Sequence, residues 1–172
     1  MLALLKTYWR ILLKELGPAN LPASDALLLV TIIFNAAVFF ASGFLIMQTL
    51  ETLAISYGIR LVSLFVFIGF VLSLYHKQRR WRETAMALLG VQAIVELITL
   101  PLGGLIFWQP ESQLVTELVV IAAFTIMLWI VVVNTHIIQQ ATEQTFYIAL
   151  LFVIAHAVIA FWIFQQFFEV KV

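Results

Sequence analysis

Residues 53–75 read LAISYGIRLVSLFVFIGFVLSLY, and residues 85–108 read AMALLGVQAIVELITLPLGGLIFW. Each is long enough to cross the hydrocarbon core of a bilayer, which takes about 20 mainly apolar residues in a helix. Each also holds one formal charge, Arg60 in the first and Glu96 in the second. An ionisable side chain in lipid is costly, so it faces a partner or a cavity rather than acyl chains.

Working outward, three more apolar runs give five spans in all, at about 26–48, 53–75, 85–108, 118–137 and 145–167. The chain is 64% hydrophobic and 10% charged, with a mean hydropathy of +1.10. A soluble domain is nearer half apolar. The predicted fold is all-α: a polytopic transmembrane helix bundle with five spans and an N-terminal amphipathic interfacial helix. Residues 1–17 form that cytoplasmic-face helix, and residues 18–172 a single transmembrane domain. The connectors 49–52 and 109–117 are short, so sequence neighbours are expected to pack as antiparallel hairpins. Net charge is zero, which gives no electrostatic case for nucleic acid. There is no cysteine, which excludes disulfides and thiolate metal sites.

In the leader, Lys6, Arg10 and Lys14 recur every four residues among Leu5, Tyr8, Trp9, Leu12, Leu13 and Leu16. The pattern predicts a helix over 1–16, too short to span. It suits either the headgroup layer of an anionic leaflet or the end of the bundle. Gly17, Pro18 and Pro22 stop it, and Ser24 and Asp25 offer caps for the next helix. The charges lie among the apolar residues rather than before them, so a cleavable signal is not expected.

Orientation comes from the basic residues. Seven of nine fall on one side: Lys6, Arg10 and Lys14, then Lys77, Arg79, Arg80 and Arg82. Glu51, Glu111, Glu117 and Glu169 fall on the other, with Lys171. The positive-inside rule then puts the N-terminus in the cytoplasm and the C-terminus in the periplasm of a bacterial inner membrane. Tyr75, Trp81 and Tyr147 mark the inner boundary, and Tyr57, Trp108 and Trp162 lie towards the outer one. The same seven basic residues are the expected contacts for anionic lipid headgroups or an acidic partner.

From the predicted span ends, Arg60 lies ~10 Å deep and Glu96 ~18 Å deep. A long guanidinium stem covers much of the difference, and spans two and three are joined by the short 76–84 connector. An Arg60–Glu96 pair is therefore expected. Asn35, Gln92 and His156 share this depth and complete an intramembrane polar zone. Thr31/Asn35/Ser42, Gln92/Glu96/Gly103 and Thr125/Trp129/His136 each follow an i, i+4, i+11 spacing. With Ser56/Arg60/Ser63 they are expected to face the bundle interior. Pro101 frees the Leu97 carbonyl and, with Gly103 and Gly104, predicts a kink or an early end to span three.

The three histidines sit apart, with no carboxylate at ligand spacing, so neither a metal nor a cofactor is expected. No hydrolase or phosphate-loop motif occurs, and the serines have no recognisable base in sequence. The whole layout resembles the Yip1-like integral membrane proteins. The Leu21-Pro-Ala-Ser-Asp25 entry to span one and the Trp129 to His136 stretch look like small bacterial inner-membrane proteins of uncharacterised role. That resemblance implies a non-enzymatic role through helix packing, with a membrane-protein partner or a second copy, and supplies no catalytic residues. The function expected first is a scaffold or accessory subunit. The alternative is a small transporter or proton-coupled channel using Arg60, Glu96 and His156.

Overall fold

A computed structural model describes residues 2–45, 47–107 and 113–169. The described residues form six α-helices: α1 (Leu2–Leu12), α2 (Asp25–Leu45), α3 (Leu50–Leu74), α4 (Trp81–Phe107), α5 (Gln113–Thr142) and α6 (Phe146–Glu169). Short 3₁₀ turns lie at Pro18–Asn20 and Gln78–Arg80. Five helices, α2 to α6, are long and apolar enough to cross a membrane. The expectations for Trp108, Glu111 and Lys171 lie outside the described residues. The end of the bundle holding α1 is the leader end below, and the opposite end is the far end.

Helix α4 is the axis of the bundle, because α1, α2, α3 and α5 all pack on it. Every residue from Thr84 to Val91 is buried, so this half of α4 has no lipid-facing side. Its most extensive partner is α2, not a sequence neighbour. The hairpin expectation is corrected to that extent: α2 and α3 adjoin in sequence, yet α2 lies mainly along α4. Beyond Glu96 the packing loosens, and Leu97 and Ile98 are exposed. Pro101 sits inside a continuous helix, so span three does not end early there.

Two close approaches use glycine. A Cβ on Gly90 would lie 2.7 Å from the Tyr8 ring, and one on Gly43 would lie 2.1 Å from Leu53 Cδ2. The first seats α1 against α4. Tyr8, Ile11 and Leu12 are buried there, while Trp9 and Leu13 are exposed. The Tyr8 hydroxyl shares a 2.6 Å hydrogen bond with Thr31 Oγ1.

The leader departs from the predicted helix over 1–16. Helix α1 ends at Leu12, and Lys14 takes a left-handed φ of 61°. The Lys6/Arg10/Lys14 spacing therefore does not continue as one stripe. The Lys14 ammonium instead lies 5.1 Å from the Trp129 ring centroid, and Arg10 pairs with Glu15 at 2.9 Å. Downstream, His136 Nε2 lies 3.3 Å from the Leu16 carbonyl oxygen, tying the leader to α5.

The basic loop is also committed internally. Glu143, between α5 and α6, is reached by Lys77 Nζ at 2.6 Å and by Arg80 Nη2 at 2.5 Å. Arg80 Nη1 donates to the Gln140 and Ala141 carbonyls, which lie in the last turn of α5 and lack helical donors. Arg82 pairs with Asp25 at 2.5 Å, joining the starts of α4 and α2. The leader end is thus less basic than its lysines and arginines suggest, because Glu15, Asp25 and Glu143 answer them.

Candidate functional site

Helix α3 begins three residues before the predicted span, because Thr49 caps it by accepting the Thr52 amide at 3.3 Å. Counted from the observed helix ends, Arg60 is ten residues in and Glu96 eleven. At 1.5 Å per residue both lie ~15 Å deep, so the expected mismatch largely disappears. Arg60 Nη1 donates directly to Glu96 Oε1. The guanidinium also lies over Phe39, 5.3 Å from the ring centroid, a cation–π contact of a kind commonly worth about 0.5–2 kcal/mol. The pair is partly buried, with side chains 28% and 21% exposed.

That residual exposure comes from a cavity of about 650 Å³. Ser56, Arg60 and Ser63 line it from α3, and Gln92, Glu96 and Gly103 from α4, so both predicted stripes turn towards it. Phe39 and Ser42 come from α2, Ala123 from α5 and His156 from α6. Gln48, Gly104 and Phe164 carry the lining to the far end. The space exists because α4 loses its close partners beyond Glu96. A Cβ on Gly103 or Gly104 would meet nothing within 4 Å.

Two acceptors in this region have no donor. Gln92 Oε1 and Glu96 Oε2 are both buried and unpartnered, one helical turn apart. The nearby hydroxyls cannot serve them in the observed arrangement: Ser56 donates to Thr52 O at 2.7 Å and Thr99 to Val95 O at 3.0 Å. An unsatisfied buried acceptor costs about 1–3 kcal/mol. Both residues line the cavity, but these two oxygens are closed off from its open space, so a donor there reaches them only when the side chains rotate.

Of the predicted polar zone, Arg60, Gln92, Glu96 and His156 are brought together around one cavity. Asn35 is not. It is fully buried between α2 and α4, where its Nδ2 donates to the Leu89 carbonyl at 3.0 Å. Thr31 is also buried, but its partner across helices is Tyr8 of α1. The α5 stripe is a clear correction. Thr125 and Trp129 are exposed rather than interior. Thr125 needs no interior partner because its hydroxyl bonds back to Ile121 O at 2.8 Å.

A further contact escapes a reading of sequence. Ser63 Oγ and His156 Nε2 lie 3.1 Å apart, and the imidazole stacks on Phe67 at 4.3 Å between centroids. Ser63 thus does have a histidine beside it, contrary to expectation. The residues stand 93 apart in the chain, and only the packing of α6 on α3 unites them. Among the described residues no ion pair or hydrogen bond joins a carboxylate to His156, so the third member of a nucleophile triad is not in place. Glu143 was also missed. An acid in the short loop at the basic end was the available signal.

These features define a polytopic membrane protein with a largely apolar cavity in the bundle that bears one ion pair. Comparison with protein-family models, curated proteins and solved structures returned no match.

Proposed function

We propose that this chain is a non-enzymatic integral membrane protein that binds a small polar molecule inside the bilayer, as a binding or transport component. The observation that carries the reading is the cavity of about 650 Å³ bearing the Arg60–Glu96 pair and two donorless acceptors. A sealed seam of interhelical hydrogen bonds would instead favour a purely architectural role. The volume falls within the usual range of small-molecule sites. Seven of the nine lysines and arginines lie at the leader end, which supports a cytoplasmic N-terminus and a cavity entered from the periplasmic side of a bacterial inner membrane. At that end, Lys6, Lys14 and Arg79 form no ion pair among the described residues, and Lys6 and Arg79, without Lys14's contact to Trp129, are the basic groups best placed to meet anionic lipid.

Ethanolamine is a small probe with both ammonium and hydroxyl donors, to serve Glu96 Oε2 and Gln92 Oε1. Equilibrium dialysis against the full chain should show saturable binding that Glu96→Gln weakens at least tenfold without loss of helical content. Absence of saturable binding by the wild-type chain would refute the reading.

The scaffold role stands second, on one observation. Helix α5 presents Val120, Ile121, Phe124, Met127 and Leu128 as an exposed apolar face, which a partner helix covers as readily as lipid does. Cross-linking through this face to a stable partner, together with a failed dialysis result, would favour that role.

A further inference from the structure

A second space, also about 650 Å³, runs along the crease between α3 and α6. Apart from Ser63 and His156 its walls are apolar, with Val66, Phe67, Phe70 and Phe152 prominent. On α3 the crease extends from Gly58 to Phe70. That is ~18 Å at 1.5 Å per residue, a little more than one leaflet of a hydrocarbon core ~30 Å thick. Ile59, Ser63 and His156 line both spaces. The apolar crease therefore meets the cavity that bears the ion pair at the Ser63–His156 hydrogen bond.

We propose that the ligand is an amphiphile: a zwitterionic head bearing an ammonium occupies the cavity, and its acyl chain lies in the α3/α6 crease. The proposal rests on the cavity being a binding site, and adds the class of molecule bound. Charge complementarity selects the head. Arg60 and Glu96 present a positive and a negative group side by side, and a phosphate–ammonium head supplies the opposite order. An ammonium carries three donors for Glu96 Oε2 and Gln92 Oε1. Arg60 has N–H groups beyond the one given to Glu96, and guanidinium and phosphate match in geometry. A wholly apolar occupant would leave the two acceptors without donors. A soluble zwitterion would leave the crease without its chain. At the junction the molecule passes between Ser63 and His156, replacing their mutual hydrogen bond with contacts to itself.

The test uses the full chain in amphipol with three probes: lysophosphatidylethanolamine, glycerophosphoethanolamine (same head, no chain) and lysophosphatidylglycerol (same chain, no ammonium). Lysophosphatidylethanolamine should bind at least tenfold more tightly than either of the others. Ser63→Phe, which plugs the junction, should remove the chain's advantage while glycerophosphoethanolamine binding persists. Val66→Trp narrows the crease from its exposed side, away from the packed seam, and should act in the same direction if Ser63→Phe fails to fold. Equal binding of the chainless probe would overturn the amphiphile and leave the cavity reading standing. Equal binding of lysophosphatidylglycerol would overturn ammonium recognition and reduce the crease to a groove for bulk lipid. Failure of all three probes, alongside failed ethanolamine binding, would remove both readings.

Discussion

Replacing Arg60 by methionine keeps an unbranched apolar side chain against Phe39 and removes the charge. Two unit charges about 4 Å apart attract by roughly 4 kcal/mol at an effective dielectric of 20, before desolvation is subtracted. Side chains 28% and 21% exposed keep part of their hydration, so the desolvation term is smaller than for a sealed pair. Removing one partner strands the other, and Glu96 already has one oxygen without a donor. Arg60→Met should therefore cost about 2–3 kcal/mol, somewhat below the usual range for breaking a buried pair. Glu96→Gln should cost about 1–2 kcal/mol, because the amide oxygen still accepts from Arg60. The double variant carries no unpaired charge and should lose only about 1 kcal/mol, giving a coupling of about 2–4 kcal/mol. Reversible unfolding in mixed detergent micelles, followed by circular dichroism, measures all three. Additive losses, agreeing within about 0.5 kcal/mol, would refute the claim that these residues act as a pair.

Other consequences are equally specific. Lys77 and Arg80, bonded to Glu143, hold its carboxyl below the ordinary value of 4.5. A lowered native value means the unfolded chain takes up the proton first. The stabilisation is therefore complete above about pH 4.5 and is lost as pH falls through the lower native value. Comparing acid unfolding of wild type and Glu143→Gln should show a gap that is constant near neutrality and closes in acid. Gly90→Ala pushes a methyl into the buried Tyr8 ring and should cost about 1–3 kcal/mol and loosen α1, read as faster proteolysis of the leader. Gly103→Ala meets open space and should be neutral or slightly stabilising, through better helix propensity.

The spans and the ion pair were legible in the sequence for physical reasons. Lipid thickness sets helix length, and a charge in lipid needs a partner, so Arg60 and Glu96 could be matched from the short 76–84 connector and the reach of the guanidinium despite unequal predicted depths. Helix pairing was not legible. An apolar face reads alike whether it meets lipid or protein, which is why α2 on α4 was missed. Hydroxyls mislead for a related reason: Thr125 satisfies itself on its own helix and needs no interior seat. Asn35 shares the depth of the polar zone yet serves the α2–α4 seam, since depth says nothing about azimuth. The Ser63–His156 contact and the cavity beside it both depend on where α6 meets α3, and neither span carries a signal for that. Pro101 was legible as a perturbation of span three, and of the two outcomes expected for it the early end is the one the continuous helix rules out.

The central claim is that a water-accessible cavity enters the bundle from the far end and reaches the ion pair. The chain contains no native cysteine, so single cysteines report cleanly. Gly103→Cys and Ser56→Cys line the cavity, and Ile33→Cys lies on the exposed face of α2, outside it. With a membrane-impermeant thiol reagent added on the far side of the reconstituted protein, Gly103→Cys and Ser56→Cys should label and Ile33→Cys should not. Occupancy by the ammonium-bearing probe should slow labelling at Ser56→Cys. A Ser56→Cys protein as inert as Ile33→Cys would contradict the account, leaving Arg60 and Glu96 a sealed structural pair.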